Sequence, residues 1–331
     1  MLYGMLQRAV AEGVAPAIQL VVHKDGDVVF DAAFGTAGRG EPLQRHHVFD
    51  LASLTKLWTT LAFAELWRLG LDHLDHRIEG APPHVSVKSI LRHDAGYPAH
   101  RRFDRELGQI RPGTYAAYER VVDLCRQTPT ATDGRVRYSD LGFILLGERI
   151  ERLSGRTLAS WFETEEGLVA FDRRRGPRRV PGHVVPTKMG NSGFVHDDNA
   201  RAMGGVAGHA GLFGAAYRVA AWAQRALDAY AGTESPGFVP DIIQRLWDEP
   251  GPRGLGFDRA TPGGTAPGWS RRAVGHLGFT GTSLWIEPEQ RLIAVLLSNR
   301  VLGRFGPDAI RSLRRRIHGE VLRRWGVPPL L

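Results

Sequence analysis

The sequence predicts an α/β fold: one antiparallel sheet completed by both ends of the chain, with flanking helices and an inserted, mainly helical unit. Three observations carry this. Near the N-terminus, AIQLVVHKDGDVVFDAAFG places two β-type runs around Asp25-Gly26, a strong hairpin signal. Near the C-terminus, RRAVGHLGF, TSLWIEP and RLIAVLLSN are three successive β-type runs joined by short turns, an antiparallel meander. Between them the apolar residues recur mostly with a helical period. The expected layout is a single unit over 1–331, with an α/β part from 1–70 and 205–331 and a helical part from 71–204.

Each element has a local reason. MLYGMLQRAVAEGVAPAIQ reads as a short amphipathic helix; it lacks the basic start and continuous apolar run of a signal peptide. FDLASLTKLWTTLAFAELWRLG, residues 49–70, reads as a helix opened by Ser53 and closed by Gly70. Ser86 caps VKSILRH, Thr114 caps YAAYERVVDLCRQ, and SDLGFILLGERIERLSG ends on Gly155. The basic, Gly- and Pro-containing stretch 172–193 reads as a surface loop, after which AAYRVAAWAQRALDAYAG restores helical periodicity. The last helix, DAIRSLRRRIHGEVLRRWG, puts Ile310, Leu313, Ile317, Val321 and Trp325 on one face, to lie against the sheet. Repeats and low-complexity tracts are absent.

The totals bound the class. A chain of 331 residues can form one large domain or two smaller ones sharing a core. With 24% charged and 43% hydrophobic residues it is ordinary for a globular protein. The net charge of +8 gathers in arginine runs, Arg173 to Arg175 and Arg314 to Arg316, which read as solvated faces. No nucleic-acid module motif accompanies them, so no nucleic-acid partner is expected. The single cysteine, Cys125, excludes an internal disulfide, fits a reducing compartment and sits on a helical apolar face as a buried structural thiol. No apolar segment reaches the ~18–20 residues that span a bilayer. The expectation is a soluble cytoplasmic protein without a membrane span, or a periplasmic one if an upstream export segment was removed; oligomeric state is left open.

The chemistry begins at Ser53 and Lys56, three residues apart and so on one face of a helix. A serine is a weak nucleophile until its proton is taken. A lysine can take it only if burial lowers its pKa, and Leu54, Leu57, Trp58 and Leu61 supply an apolar wall. A helix N-terminus also favours negative charge near Ser53. Alone, this spacing equally describes a serine cap and a solvated lysine. Two further motifs follow. In RVRYSDLGFILLGE, Tyr138 precedes an apolar helix that starts at Ser139 and Asp140, a pattern shared by a core tyrosine and an Asp cap. In GHLGFTGTSLWIEPEQRLIAVLLSN, His276, Leu277 and Gly278 lead into FTGTSLW on a strand, and a strand glycine admits a close backbone or ligand.

With these motifs in this order, the chain resembles the serine β-lactamase and penicillin-binding-protein superfamily, in particular its class C β-lactamase-like branch of carboxypeptidases and esterases. The resemblance runs over roughly residues 8–325 and includes FDLASLTKLWTT, ILRHDAGYP, YSDLGFILLGERIERLSG, VHDDNARAMGGVAGHAGLF and GHLGFTGTSLWIEP. It implies Ser53 as the acylated nucleophile, Lys56 as its close partner and Tyr138 as the proton shuttle to the leaving group. His276 takes the place of the lysine of Lys-Thr-Gly. The backbone N–H groups of Ser53 and of Phe279, directly after Gly278, would form the oxyanion hole. The implied function is a serine hydrolase acting through an acyl-enzyme on an ester, amide or lactam bond of a small molecule or peptide, without metal or cofactor. The alternative is a catalytically silent penicillin-binding-like protein serving as a ligand-binding or scaffolding module.

Two departures from the family pattern matter. Asp140 stands where asparagine is usual; an ionised carboxylate beside Lys56 holds it as ammonium and passes the base role to Tyr138, whose phenolate Lys56 would favour. His276 replaces a permanent cation. A neutral imidazole offers one N–H donor, so it is expected to orient an ester or amide carbonyl and not to clamp a carboxylate, which tilts the reading toward an esterase or peptidase-like hydrolase. His196, Asp197, Asp198 and His209 lack a metal-site spacing; Asp197 reads as a helix cap, and His209 as a cleft-facing or hydrogen-bonded loop residue. His46-His47 and His93-Asp94 read as turn and helix-end residues. Tyr97 and Trp285 are candidates for the acyl pocket, with plain packing the competing reading.

Overall fold

In the computed structural model, which describes residues 1–38, 40–163, 167–175, 183–187 and 193–326, helix α1 (Leu2–Ala11) leads into strands β1 (Ala17–Lys24) and β2 (Asp27–Gly38). Asp25 and Gly26 between them have φ of 54° and 94°, the double left-handed pair that suits a two-residue hairpin. Short strands β3 (Glu41–Pro42) and β4 (Phe49–Asp50) precede helices α2 (Thr55–Arg68), α3 (Val87–Arg92), α4 (Tyr115–Gln127), α5 (Asp140–Ser154) and α6 (Leu158–Phe162). Then come β5 (Val169–Ala170), α7 (Asp198–Ala202), β6 (Leu212–Gly214), α8 (Ala216–Tyr230) and α9 (Pro240–Trp247). Strands β7 (Asp258–Arg259), β8 (Val274–Leu277), β9 (Ser283–Glu287) and β10 (Leu292–Ser298) lead to the last helix, α10 (Pro307–Trp325).

The large sheet has the order β3-β2-β1-β10-β9-β8-β7 and is antiparallel throughout. Both ends of the chain complete it: β1 pairs with β10, Ile18 opposite Ser298 and Lys24 opposite Leu292. Because β1 is covered on both faces its sequence is a nearly continuous apolar run. Ile18, Leu20 and Val22 pack with Leu2 and Leu6 of α1 and with Ile310, Leu313, Ile317 and Val321 of α10. Ala17 and Val21 face the opposite core, with α2 and α8. Gln19 and His23 also point that way, and Gln19 is satisfied: its amide nitrogen donates to the carbonyls of Gln44 and His47, and its oxygen accepts the N–H of Ala216.

The caps expected at Ser86, Thr114 and Gly155 are present: Ser86 and Ser89 form a capping box, Thr114 caps α4, and Gly155 ends α5 in the left-handed conformation. The start of α5 is capped by Ser139, one residue before Asp140. Three expectations are corrected. A second, three-stranded sheet, β4-β6-β5, escapes sequence reading because strands of two or three residues carry no periodicity. The stretch 172–193 is not simply a surface loop: Asp172, Arg174, Val184 and Val185 are buried, while 176–182 and 188–192 lie outside the described residues. Arg174 is drawn inward by Glu151 and Asp172, at 2.7 and 2.8 Å, and lies over the ring of Tyr118. Arg314, read as part of a solvated run, is also buried, on the sheet side of α10. Cys125 is buried, as expected. No described helix is long and apolar enough to cross a membrane.

Helix α5 is tethered to the segment after α2 by a buried ion pair. The Arg149 guanidinium donates through Nε and Nη2 to both oxygens of Asp72, each at 2.6 Å. Burial alone would raise the Asp72 pKa, but Arg149 and His76 hold it below the usual carboxylate range. Removing one partner leaves the other charge buried and uncompensated, a loss of about 3–5 kcal/mol. Asp72→Ala is therefore expected to lower the urea unfolding midpoint sharply; a midpoint within experimental error of the parent would show that the tether carries no stability.

Candidate active site

Strand β4 delivers the chain into a 3₁₀ turn, Ala52–Leu54, so α2 begins at Thr55 and Ser53 is not its cap. Ala52 has a φ of 50°, a conformation costing a non-glycine residue about 1–3 kcal/mol. Asp50 holds it there. Its two oxygens accept the N–H groups of Ala52 at 2.8 Å and His196 at 2.6 Å. Burial pushes this carboxyl up to about 6, with the two amides pulling it down and Asp197 adding to the rise.

The turn between β8 and β9 closes over this segment. Thr280 Oγ1 donates to the carbonyl of Asp50 and Thr282 Oγ1 to that of Leu51, at 2.9 and 3.0 Å. A Cβ at Gly278 would lie 2.0 Å from Thr282 Oγ1 and 2.8 Å from the Leu51 carbonyl oxygen, so only glycine allows the approach. Among the described residues the backbone N–H groups of Ser53 and Phe279 have no hydrogen-bond acceptor. The Phe279 side chain is exposed, stacked on His196.

Lys56 is fully buried behind Ser53. Its Nζ lies 2.7 Å from Asp140 Oδ1, 2.7 Å from Tyr138 Oη, 3.3 Å from Ser53 Oγ and 3.3 Å from the carbonyl of His209. Burial by itself would depress its pKa, but Asp140 and Tyr138 more than reverse this, so the ammonium is held above its ordinary value. Asp140, turned inward from the first turn of α5, is kept below the carboxylate range against its burial, chiefly by Lys56 and also by His100. Tyr138 departs from the expected phenolate: burial pushes it up to about 12, with Lys56 pulling down and Asp140 adding to the rise. At neutral pH it is a phenol. His93 packs on its ring, centroids 4.8 Å apart, and His93 Nδ1 accepts the N–H of Ser139, which ties α3 to the start of α5.

His276 is buried beside Tyr138. Burial lowers its pKa to about 4, so the ring is neutral near pH 7. Its Nδ1 lies 2.8 Å from the carbonyl of Leu277; a carbonyl only accepts, so the proton sits on Nδ1. Nε2, which has no hydrogen-bond partner among the described residues, is a lone pair. This corrects the sequence expectation: the single N–H is spent on the backbone, and His276 offers an acceptor.

These groups share an open cleft of about 790 Å³ lined by Ser53, Tyr138, Asp140, His209, His276 and Phe279. His209 Nε2 lies 2.8 Å from Asp197 Oδ1, and Asp197 also caps α7 through the Ala200 N–H. Among the described residues, His100, Asp140 and Asp197 bring one ligand atom each within 4.8 Å of one another, with Asp140 and Asp197 already bonded to Lys56 and His209. Tyr97 and Trp285 do not line the cleft; both are buried in the cores. Sequence reasoning missed Asp50, His100, Arg253, Arg300 and Arg314, all at the cleft or directly behind it. The lone acid in the apolar FDLAS run was the one available signal for Asp50.

The chain is similar to known proteins over most of its length. The Beta-lactamase family model matches residues 5–316. The N-acetylmuramyl-L-alanine amidase of Bacillus subtilis (strain 168) is 26% identical over 363 residues, 89% of this chain and 79% of its own. A putative D-alanyl-D-alanine carboxypeptidase of Escherichia coli (strain K12) is 26% identical over 344 residues, 86% of this chain and 78% of its own. Among solved structures, EstCE1, a hydrolase with promiscuous acyltransferase activity, superposes with a TM-score of 0.70 at 20% identity, over 95% of this chain and 97% of its own. The family match spans nearly the whole described fold, and the protein belongs to the β-lactamase family.

Proposed function

We propose that this member of the family is a working serine hydrolase: Ser53 attacks an ester, amide or lactam carbonyl and forms an acyl-enzyme that water releases. The observation that carries this reading is the meeting of Ser53 Oγ, Lys56 Nζ and Tyr138 Oη within hydrogen-bond reach on the floor of an open cleft.

The protonation states suggest the route. An ammonium has no lone pair, so Lys56 is not the base. A phenol can still relay. As Ser53 Oγ bonds to the carbonyl carbon, its proton passes to Tyr138 Oη while the phenolic proton moves to the leaving oxygen or nitrogen. Tyr138 ends as it began. Lys56 stabilises the negative charge that builds on Oη, and the N–H groups of Ser53 and Phe279 receive the charge on the carbonyl oxygen. In deacylation, water gives its proton to Tyr138 as Tyr138 returns one to Ser53.

Substrate choice rests on His276. A neutral ring with its lone pair at Nε2 gives no fixed cation for a carboxylate at that position, which favours acyl esters and uncharged amides over penicillin-type lactams. Relatives named as an amidase and a carboxypeptidase, and a structural neighbour named as a hydrolase with acyltransferase activity, support the breadth of acyl chemistry proposed.

Fluorophosphonate labelling followed by peptide mass spectrometry is expected to place the adduct on the peptide containing Ser53, and Ser53→Ala to abolish turnover in a folded protein. No adduct on the parent protein would leave a ligand-binding or scaffolding module as the reading. Tyr138→Phe is expected to lower kcat about 10²–10⁴-fold with little change in KM; a near-parental rate would move proton transfer to another group.

Short-chain p-nitrophenyl esters are expected to be cleaved measurably and nitrocefin feebly near pH 7. Since His276 protonates only near pH 4, no activity inflection near the ordinary histidine pKa should disappear on its replacement. His276→Lys should raise the nitrocefin-to-ester ratio, by up to the 1.5–3 kcal/mol of one charge-assisted hydrogen bond. Efficient nitrocefin cleavage by the parent, with esters untouched, would overturn this assignment.

A further inference from the structure

We infer that Arg314 on α10 is a positioning residue for the oxyanion site: it anchors the Gly278–Phe279 peptide so that the Phe279 N–H faces the cleft beside Ser53. This rests on the hydrolase reading above. Arg314 Nη2 donates to the carbonyl of Gly278 at 2.7 Å and to that of Thr282 at 2.6 Å, the two ends of the β8–β9 turn. The Gly278 carbonyl and the Phe279 N–H belong to one planar trans peptide and point in opposite directions. Holding the oxygen toward α10 therefore aims the N–H away from it. Arg300 Nε takes the next carbonyl, that of Phe279, at 2.7 Å.

Two facts argue that the hold is needed. Gly278 must be glycine for the close approach to Leu51, and glycine itself sets little preference for the orientation of its peptide; the Gly278 carbonyl also accepts the Gly281 N–H, at 3.1 Å against 2.7 Å for Arg314. Burying a guanidinium is costly unless its charge is met, yet Arg314 is buried with no carboxylate partner among the described residues, and its Nε is unpartnered. Carbonyl oxygens of the turn are what it meets. Burial lowers its pKa to about 9, so at pH 7 it remains a cation, fixed behind the peptide on which negative charge develops.

The test compares Arg314→Met, which keeps length but no donor, with Arg314→Lys, which keeps a cationic donor. Thermal unfolding verifies that each is folded, and single-turnover acylation by a p-nitrophenyl ester is measured. Arg314→Met is expected to slow acylation about 10²–10³-fold, the loss typical of one oxyanion donor, with the apparent substrate affinity within about threefold. Arg314→Lys should recover at least about tenfold of that loss. A folded Arg314→Met that acylates at the parental rate, or variants that lose rate equally through weaker binding, would overturn the proposal. Crystal structures read the hold directly: the Gly278–Phe279 peptide should be rotated in Arg314→Met or, if that variant does not fold, in Arg314→Gln. An unchanged peptide overturns the hold. A parent protein that never acylates Ser53 defeats the hydrolase reading instead, and the peptide orientation still decides the role of Arg314.

Discussion

The ammonium of Lys56 is the constraint around which the site is organised. A fully buried cation must find its partners inside the protein, and those of Lys56 come from separate parts of the chain. Asp140 arrives on the first turn of α5, Tyr138 just before it, the carbonyl of His209 from the segment entering β6, and Ser53 from the turn before α2. Each contact fixes a distance between elements. The same contacts bear on the proposed chemistry: with an ammonium held beside a carboxylate, the Tyr138 phenol is the proton carrier proposed for Ser53.

Other charges of the cleft are also closed locally. His209 is paired with Asp197, Arg253 with Asp258, and Arg102 with Asp104 and Asp198. His276 contributes no charge. Arg300 and Arg314 are the exceptions, with backbone carbonyls in place of carboxylates. The net effect is a positive field concentrated beneath one turn of backbone instead of spread over the cleft.

Much of this was legible in the sequence, and the illegible part has a common cause. Spacing shows which side chains share a face, so Ser53 with Lys56, the Asp25-Gly26 hairpin, the late meander and the caps at Ser86, Thr114 and Gly155 could be read directly. Spacing does not show which way a peptide plane or an imidazole points. The 3₁₀ turn at Ser53, the left-handed Ala52 with its Asp50 brace, and the acceptor face of His276 all depend on such orientations. The arginine runs misled for a related reason. A helix carrying Arg314, Arg315 and Arg316 looks solvated as a block, but successive residues point about 100° apart, and one of them faces the sheet.

The pairing of β1 with β10 bears on how the protein comes into being. Strands from the two ends of the sequence must meet before the central pair of the sheet exists, and loops of that length close slowly. During translation β1 and the apolar flank of α2 are made well before β10. Until then a sticky strand edge waits without its neighbour, the situation in which nascent chains aggregate or recruit chaperones. The turn over Ser53 sits on strands from that late-emerging end, so a prematurely terminated chain would carry Ser53 without the backbone of Gly278 and Phe279 that closes over it.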